Sequence, residues 1–149
     1  MADADDARLV ETLRRAVDFA ELDDQQLARL VTASSLRRFV AGETLFEKGS
    51  EPDGLYVVVS GSVRIFDVIQ GNERDLAVIG TGDFTGEVSL ALHTVRTRSA
   101  QAREDAEVLV IPVAAFDELA SEHPALGSQL IEAFEDRMAG REEAAAEQD

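Results

Sequence analysis

LFEKGSEPDGLYVVVSGSVRIF, Leu45 to Phe66, holds two apolar runs, Leu55–Val59 and Val63–Phe66, separated by Ser60-Gly61-Ser62 and preceded by the break SEPDG. Short runs of β-branched and aromatic residues bounded by Gly, Pro, Asp and Ser read as strands joined by tight turns. The same texture continues on both sides, from Leu36 to Pro112, with a break roughly every ten residues. Candidate strands are LRRFV, ETLFEKG, LYVVVSG, SVRIFDVI, RDLAVIG, TRSAQARE and EVLVIP, joined by SEPDG, SG, QGNE and GTGD. Gly49, Gly54, Gly61, Gly71, Gly80 and Gly82 all fall in these joints, where positive φ is most often needed. That pattern predicts an all-β barrel or sandwich.

The flanks have a different period. Leu9, Val10, Leu13 and Val17, then Leu22, Leu27, Leu30 and Val31, recur at helical spacing and predict two helices within residues 5–33. The second opens at LDDQQL, where Asp23 or Asp24 serves as N-cap. Beyond Pro112 the helical period returns over residues 113–140, first in VAAFDELASEH and then along Leu126, Leu130, Ile131, Phe134 and Met138. Residues 141–149 form a polar, fraying tail. With 149 residues and no linker of low complexity, residues 1–149 read as a single domain.

Composition narrows the function. The chain has no cysteine, which excludes disulfides, thiolate metal sites and cysteine nucleophiles and suits a reducing, cytoplasmic setting. A net charge of −16, with Lys48 the single lysine, repels phosphate backbones and argues against nucleic acid as a partner. No apolar run reaches bilayer length, and the acidic start is unlike a signal peptide, so no membrane association is expected.

The residues that carry chemistry lie in GEVSLALHTVRTRSA, Gly86 to Ala100. A helical turn opening at Gly86 would direct the N–H groups of Glu87, Val88 and Ser89 to one spot, and Arg98 supplies a planar, permanently charged partner for a phosphate. Glu87 repels an anion but accepts a hydrogen bond from a sugar hydroxyl. Together they describe a phosphate beside a ribose. His93 and His123, the only histidines, fall short of a metal ligand set, and no serine has a histidine placed to activate it. No catalytic residue is therefore assigned, and the chain is expected not to be an enzyme.

LFEKGSEPDGLYVVVSGSVRIF, GDFTGEVSL and RSA together resemble the cyclic nucleotide-binding domain shared by the catabolite activator protein and the regulatory subunit of protein kinase A, over about Ala20 to Met138. The resemblance implies a mainly β fold with flanking helices, an eight-stranded jelly-roll β barrel. It implies that Gly86, Glu87, Val88 and Ser89 form a cassette helix, with Glu87 on the ribose 2′-hydroxyl, and that Arg98, Ser99 and Ala100 form the phosphate-contacting strand start. Arg96 sits nearer the family's commonest spacing, but only Arg98 is followed two places on by a small residue, Ala100, so Arg98 is ranked first and Arg96 second.

The implied ligand is cyclic AMP, with cyclic GMP possible, covered by an apolar lid that includes Ile131 and Phe134. About ten residues follow the C-terminal helix, too few for a DNA-reading pair of helices, and the acidic N-terminus lacks an inhibitory arginine-rich segment. The expectation is a stand-alone sensor whose output passes to a second copy or an unknown effector protein through the C-terminal helix. The alternative is an interaction or dimerisation module with an empty or remodelled pocket.

Overall fold

The computed structural model describes residues 4–16, 22–125, 128–129, 131–132 and 135–136. Two helices, α1 (Ala4–Arg15) and α2 (Asp24–Ala33), precede eight strands. These are β1 (Ser35–Phe39), β2 (Thr44–Phe46), β3 (Gly54–Ser60), β4 (Val63–Ile69), β5 (Asn72–Ile79), β6 (Phe84–Thr85), β7 (Ser99–Ala102) and β8 (Ala106–Pro112). A short helix α3 (Glu87–Leu92) lies between β6 and β7, and α4 (Val113–Glu122) follows β8. None of the helices among the described residues is long and apolar enough to cross a membrane.

The strands form two antiparallel four-stranded sheets, in the orders β1-β8-β3-β6 and β2-β7-β4-β5. Successive strands cross between the sheets except at the β4–β5 hairpin, which is the jelly-roll arrangement. Tyr56, Val58, Val108 and Val110 of one sheet meet Val63, Ile65, Ala77, Ile79, Ala100 and Ala102 of the other in the inner core. Leu55, Val57, Val59, Leu109 and Ile111, on the opposite face of β3 and β8, pack with Leu9, Leu13, Leu27, Leu30, Phe116 and Leu119 of the helices. Strand β3 is thus buried on both faces, which explains why its sequence is a continuous apolar run and not an alternating one. Each such side chain contributes about 1.5–3 kcal/mol by leaving water.

Helix α2 starts where the sequence places it. Asp23 is the N-cap: its carboxylate accepts from the N–H of Gln26 at 2.8 Å, and its own N–H donates to Gln26 Oε1 at 3.0 Å. Leu22 and Leu27, one residue before the cap and four after it, are buried in the same cluster and fix the angle of entry. Asp23→Ala is expected to lower stability by about 1 kcal/mol, and Asp23→Asn by only a few tenths, in urea unfolding. Equal loss in both variants would show that the cap is not what holds this end.

Two expectations are corrected. Neither Gly54 nor Gly80 has positive φ; Gly54 opens β3, and a Cβ there would lie 2.3 Å from the carbonyl oxygen of Ile111, so its missing side chain permits close contact with β8. Phe84–Thr85, assigned to no strand from sequence, forms β6 against Val57 and Tyr56. Of the C-terminal helix face, Leu126, Leu130, Phe134 and Met138 lie outside the described residues, as does the tail, while Ile131 is half-buried.

Candidate functional site

Strand β6 ends at Thr85, and the chain turns through Gly86 at φ 91° into α3, which closes at His93 with φ 53°. Left-handed backbone is strained for residues with a Cβ, so Gly86 can take this turn where other residues resist it. The loop that follows is pinned to the β2–β3 turn: the N–H of Gly49 donates to the carbonyl of Arg96 at 2.7 Å, and the N–H of Arg96 donates to the carbonyl of Ser50 at 2.8 Å. Backbone pairing far from the cassette in sequence therefore sets where Arg96 starts.

The Arg96 side chain is 1% exposed. Its Nη1 donates to the carbonyl of Gly86 at 3.0 Å and to Ser89 Oγ at 2.9 Å. Its Nη2 donates to the carbonyl of Gly54 at 2.7 Å and to Asp53 Oδ1 at 3.1 Å. The guanidinium lies 4.2 Å from the Phe46 ring centroid and 5.4 Å from that of Tyr56, within cation–π range. Four of its five donor positions are thus aimed at protein acceptors. The fifth, Nε, is buried and has no hydrogen-bond partner.

Glu87 is 2% exposed, and its Oε2 is likewise buried without a partner. Among the described residues only Ser62 Oγ shares that condition. Arg96 and Glu87 line one cavity, together with Phe46, the Thr85–Ser89 segment, Thr97 and Arg98. Its volume is about 20 Å³, room for a single water.

Burial pushes the Glu87 carboxyl up to about 7, against the pull of its own backbone N–H and of Arg98 and Arg96; Glu135 adds to the rise. Burial lowers Arg96 while Asp53 raises it, leaving it below its usual value and still a cation. Burial works against ionisation of Asp53, but the Tyr56 hydroxyl and Arg96 prevail and hold its carboxyl below the usual range. Tyr56, desolvated and donating to Asp53 at 2.9 Å, is pushed up to about 12.

A carboxyl raised in the folded state keeps its proton where the unfolded chain has lost it. Glu87 stabilisation is therefore fully present below about pH 4.5 and disappears as pH rises to about 7. Relative to Glu87→Gln, the wild type is expected to lose about 3 kcal/mol between those limits, read by urea unfolding across the range. Parallel pH profiles for the two proteins would contradict this.

The structure brings together Gly86, Glu87, Val88, Ser89 and Arg98 as cavity-lining residues. Ser99 and Ala100 lie outside that lining. Ser99 Oγ accepts from the N–H of Lys48 at 2.9 Å, and Ala100, one residue on and on the opposite face of β7, is buried in the inner core. Sequence reading missed Asp53, just before β3, Tyr56 of β3 and Phe46 of β2, which hold Arg96 from forty or more residues away. Only Asp53-Gly54 gave a signal there, as a turn.

Residues 36–123 match the cyclic nucleotide-binding domain family. The chain is 32% identical over 99 residues to lysophospholipase NTE1 of Phaeosphaeria nodorum, covering 66% of this chain and 6% of that protein, so it spans only a small part of that relative's length. The regulatory domain of Toxoplasma gondii PKA, co-crystallised with cAMP, superposes with a TM-score of 0.75 at 24% identity, over 79% of this chain and 45% of that one. The sensor domain of the transcriptional regulator DNR from Pseudomonas aeruginosa superposes with a TM-score of 0.78 at 21% identity, over 95% of both chains. Its matched sequence and its jelly-roll architecture lead to one conclusion: the chain belongs to the cyclic nucleotide-binding domain family.

Proposed function

We propose that this domain is a sensor that binds a cyclic nucleotide, cyclic AMP in preference to cyclic GMP, and does not hydrolyse it. The observation that carries the reading is the pair of unpartnered buried atoms, Arg96 Nε and Glu87 Oε2, in two residues that line one cavity. A buried polar atom without a partner costs about 1–3 kcal/mol, so a ligand that satisfies both gains that much at each. A phosphate oxygen suits the guanidinium N–H, and a ribose hydroxyl beside it suits the carboxyl. Arg96 is accordingly the phosphate residue in this reading, in the place for which sequence reading ranked Arg98 first because Ala100 stands two places on.

Gly86, Val88 and Ser89 shape the cradle, and Ser99 and Ala100 anchor the strand that leaves it. The cAMP-bound Toxoplasma gondii neighbour supports the ligand class, and the DNR sensor domain supports a regulatory role. Output passes to a second copy or to an effector protein in the cytoplasm; the lysophospholipase relative is a far longer protein, of which this chain matches 6%.

Calorimetry with cyclic AMP, cyclic GMP and guanosine tests the reading. Both cyclic nucleotides are expected to bind and to raise the melting temperature, while guanosine, without a phosphate, binds at least about tenfold more weakly. A second reading is favoured by the small cavity: an interaction module whose pocket stays closed. Silence at millimolar ligand would select that reading, and recovery of linear nucleotide would make the domain an enzyme.

A further inference from the structure

Glu87 and Arg96 share a cavity but not a hydrogen bond. The terminal nitrogens of Arg96 donate to Gly86, Ser89, Gly54 and Asp53, and none of these bonds goes to the carboxyl. Glu87 is 2% exposed and its Oε2 has no partner, so a negative charge there has neither water nor a donor on that oxygen. Burial of this kind favours the neutral acid. The rise of the Glu87 carboxyl to about 7 agrees with that geometry and leaves it part-protonated near neutral pH.

The charged groups that act on Glu87 come from several elements. Arg96 and Arg98, on the loop between α3 and β7, favour the ionised form, while Glu135 opposes it. Asp53, just before β3, is hydrogen-bonded to Arg96 and answers part of its charge. The remaining cavity walls, Phe46 of β2, Thr85 of β6 and Val88 and Ser89 of α3, are uncharged.

A cyclic nucleotide brings one negative charge into this setting. Bound at Arg96 Nε, its phosphate offsets a cation that draws Glu87 toward ionisation, and it adds repulsion of its own where little water screens it. The ribose hydroxyl does not choose between the two forms, because it can donate to a carboxylate or accept from a carboxylic acid. The phosphate decides. With Glu87 neutral, Arg96 and Arg98 are matched by Asp53 and the phosphate; with Glu87 ionised, a third anion is left over.

We propose that cyclic-nucleotide binding is coupled to uptake of a proton by the Glu87 carboxyl, so that the site responds to acidity together with its ligand. This rests on the cyclic-nucleotide reading above. Below the free chain's Glu87 titration at about 7 the acid is already formed, and affinity is at its plateau. Above it each binding event draws a proton from solvent, and affinity falls by up to about tenfold per pH unit.

The test is calorimetric titration of cyclic AMP into wild type and Glu87→Gln at about pH 8 and about pH 5.5, each in two buffers of unlike ionisation enthalpy. Cyclic AMP has no group that titrates between these limits, and Glu87→Gln keeps His93 and His123, so it subtracts their part. Wild type is expected to take up about half a proton or more per ligand at the higher pH and close to none at the lower, with affinity about tenfold weaker at the higher pH. Glu87→Gln is expected to show neither effect, whatever its absolute affinity. Infrared difference spectra of wild type, which need no variant, are expected to gain the C=O band of a protonated carboxyl when cyclic AMP is added at about pH 8. Proton release by wild type, equal heats in the two buffers at that pH, an unchanged carboxyl band, or uptake that persists in Glu87→Gln overturns the coupling and leaves the cyclic-nucleotide reading intact. No binding by wild type at either pH defeats that reading and the coupling with it.

Discussion

Arg96→Ala is expected to abolish cyclic-nucleotide binding and to cost the fold about 2–4 kcal/mol. The loss has two sources. Truncation takes the guanidinium donor from the carbonyl of Gly54 and from the hydroxyl of Ser89, leaves the carbonyl of Gly86 with the Ser89 hydroxyl as its side-chain donor, and removes a cation stacked over Phe46. Each buried group so orphaned costs about 1–3 kcal/mol before relaxation, and the cavity opened beside Phe46 admits some water that recovers part of it. Asp53, about half exposed, is resolvated at little cost and contributes the smallest share. Arg96→Lys keeps the charge but not the planar fork, so it cannot serve Gly54, Gly86 and Ser89 together. Urea unfolding and calorimetry on both variants check the expectation, with Lys intermediate in stability and still poor in binding. An Arg96→Ala protein with wild-type stability and wild-type affinity would remove Arg96 from both roles.

This residue also marks the limit of what the sequence could say. The strands were legible because each is bounded by residues with a local reason to turn, and the cap of α2 was legible because Asp23 and Gln26 stand three apart. β6 was not, since a two-residue strand has no period to detect. Arg96 and Arg98 were both visible, but the local cues conflict, spacing favouring Arg96 and the small residue two places on favouring Arg98. What separates them is tertiary: the β2–β3 turn that clamps the Arg96 backbone, and the Asp53-Gly54 corner that receives its guanidinium. Ser99 and Ala100 were placed beside the ligand by resemblance, yet adjacent residues of a strand point to opposite faces. One faces Lys48 and the other the inner core.

The same corner ties fold to site. β3 can approach β8 closely at Gly54 because no Cβ intervenes, and that approach presents the Gly54 carbonyl to Arg96. Double-sided burial of β3 then holds the corner still, so the acceptor is positioned by a strand buried from Gly54 to Val59. Packing energy in the barrel is in this way converted into a fixed orientation for a single guanidinium, with Nε as its open donor.

Gly86→Ala is the second change with a large expected effect, and its two causes can be separated. At φ 91° an alanine is strained by about 1–2 kcal/mol. Its Cβ would also stand 2.4 Å from Arg96 Nη1 and 3.3 Å from Cζ. The end of an arginine ordinarily swings aside from such a collision, but this one is held by Gly54, Asp53, Ser89 and Gly86 itself, so yielding means breaking those bonds. Gly42→Ala isolates the first cause: Gly42 has φ 92°, and nothing lies within 4 Å of where its Cβ would be. Gly42→Ala is therefore expected to lose about 1–2 kcal/mol in urea unfolding and to bind cyclic AMP as the wild type does. Gly86→Ala is expected to lose about 3 kcal/mol or more and to bind at least about a hundredfold more weakly, because the displaced guanidinium no longer presents Nε to the cavity. Equal stability loss in the two variants, with cyclic AMP affinity retained in both, would mean that Arg96 adapts freely and that its bonded geometry does not define the site.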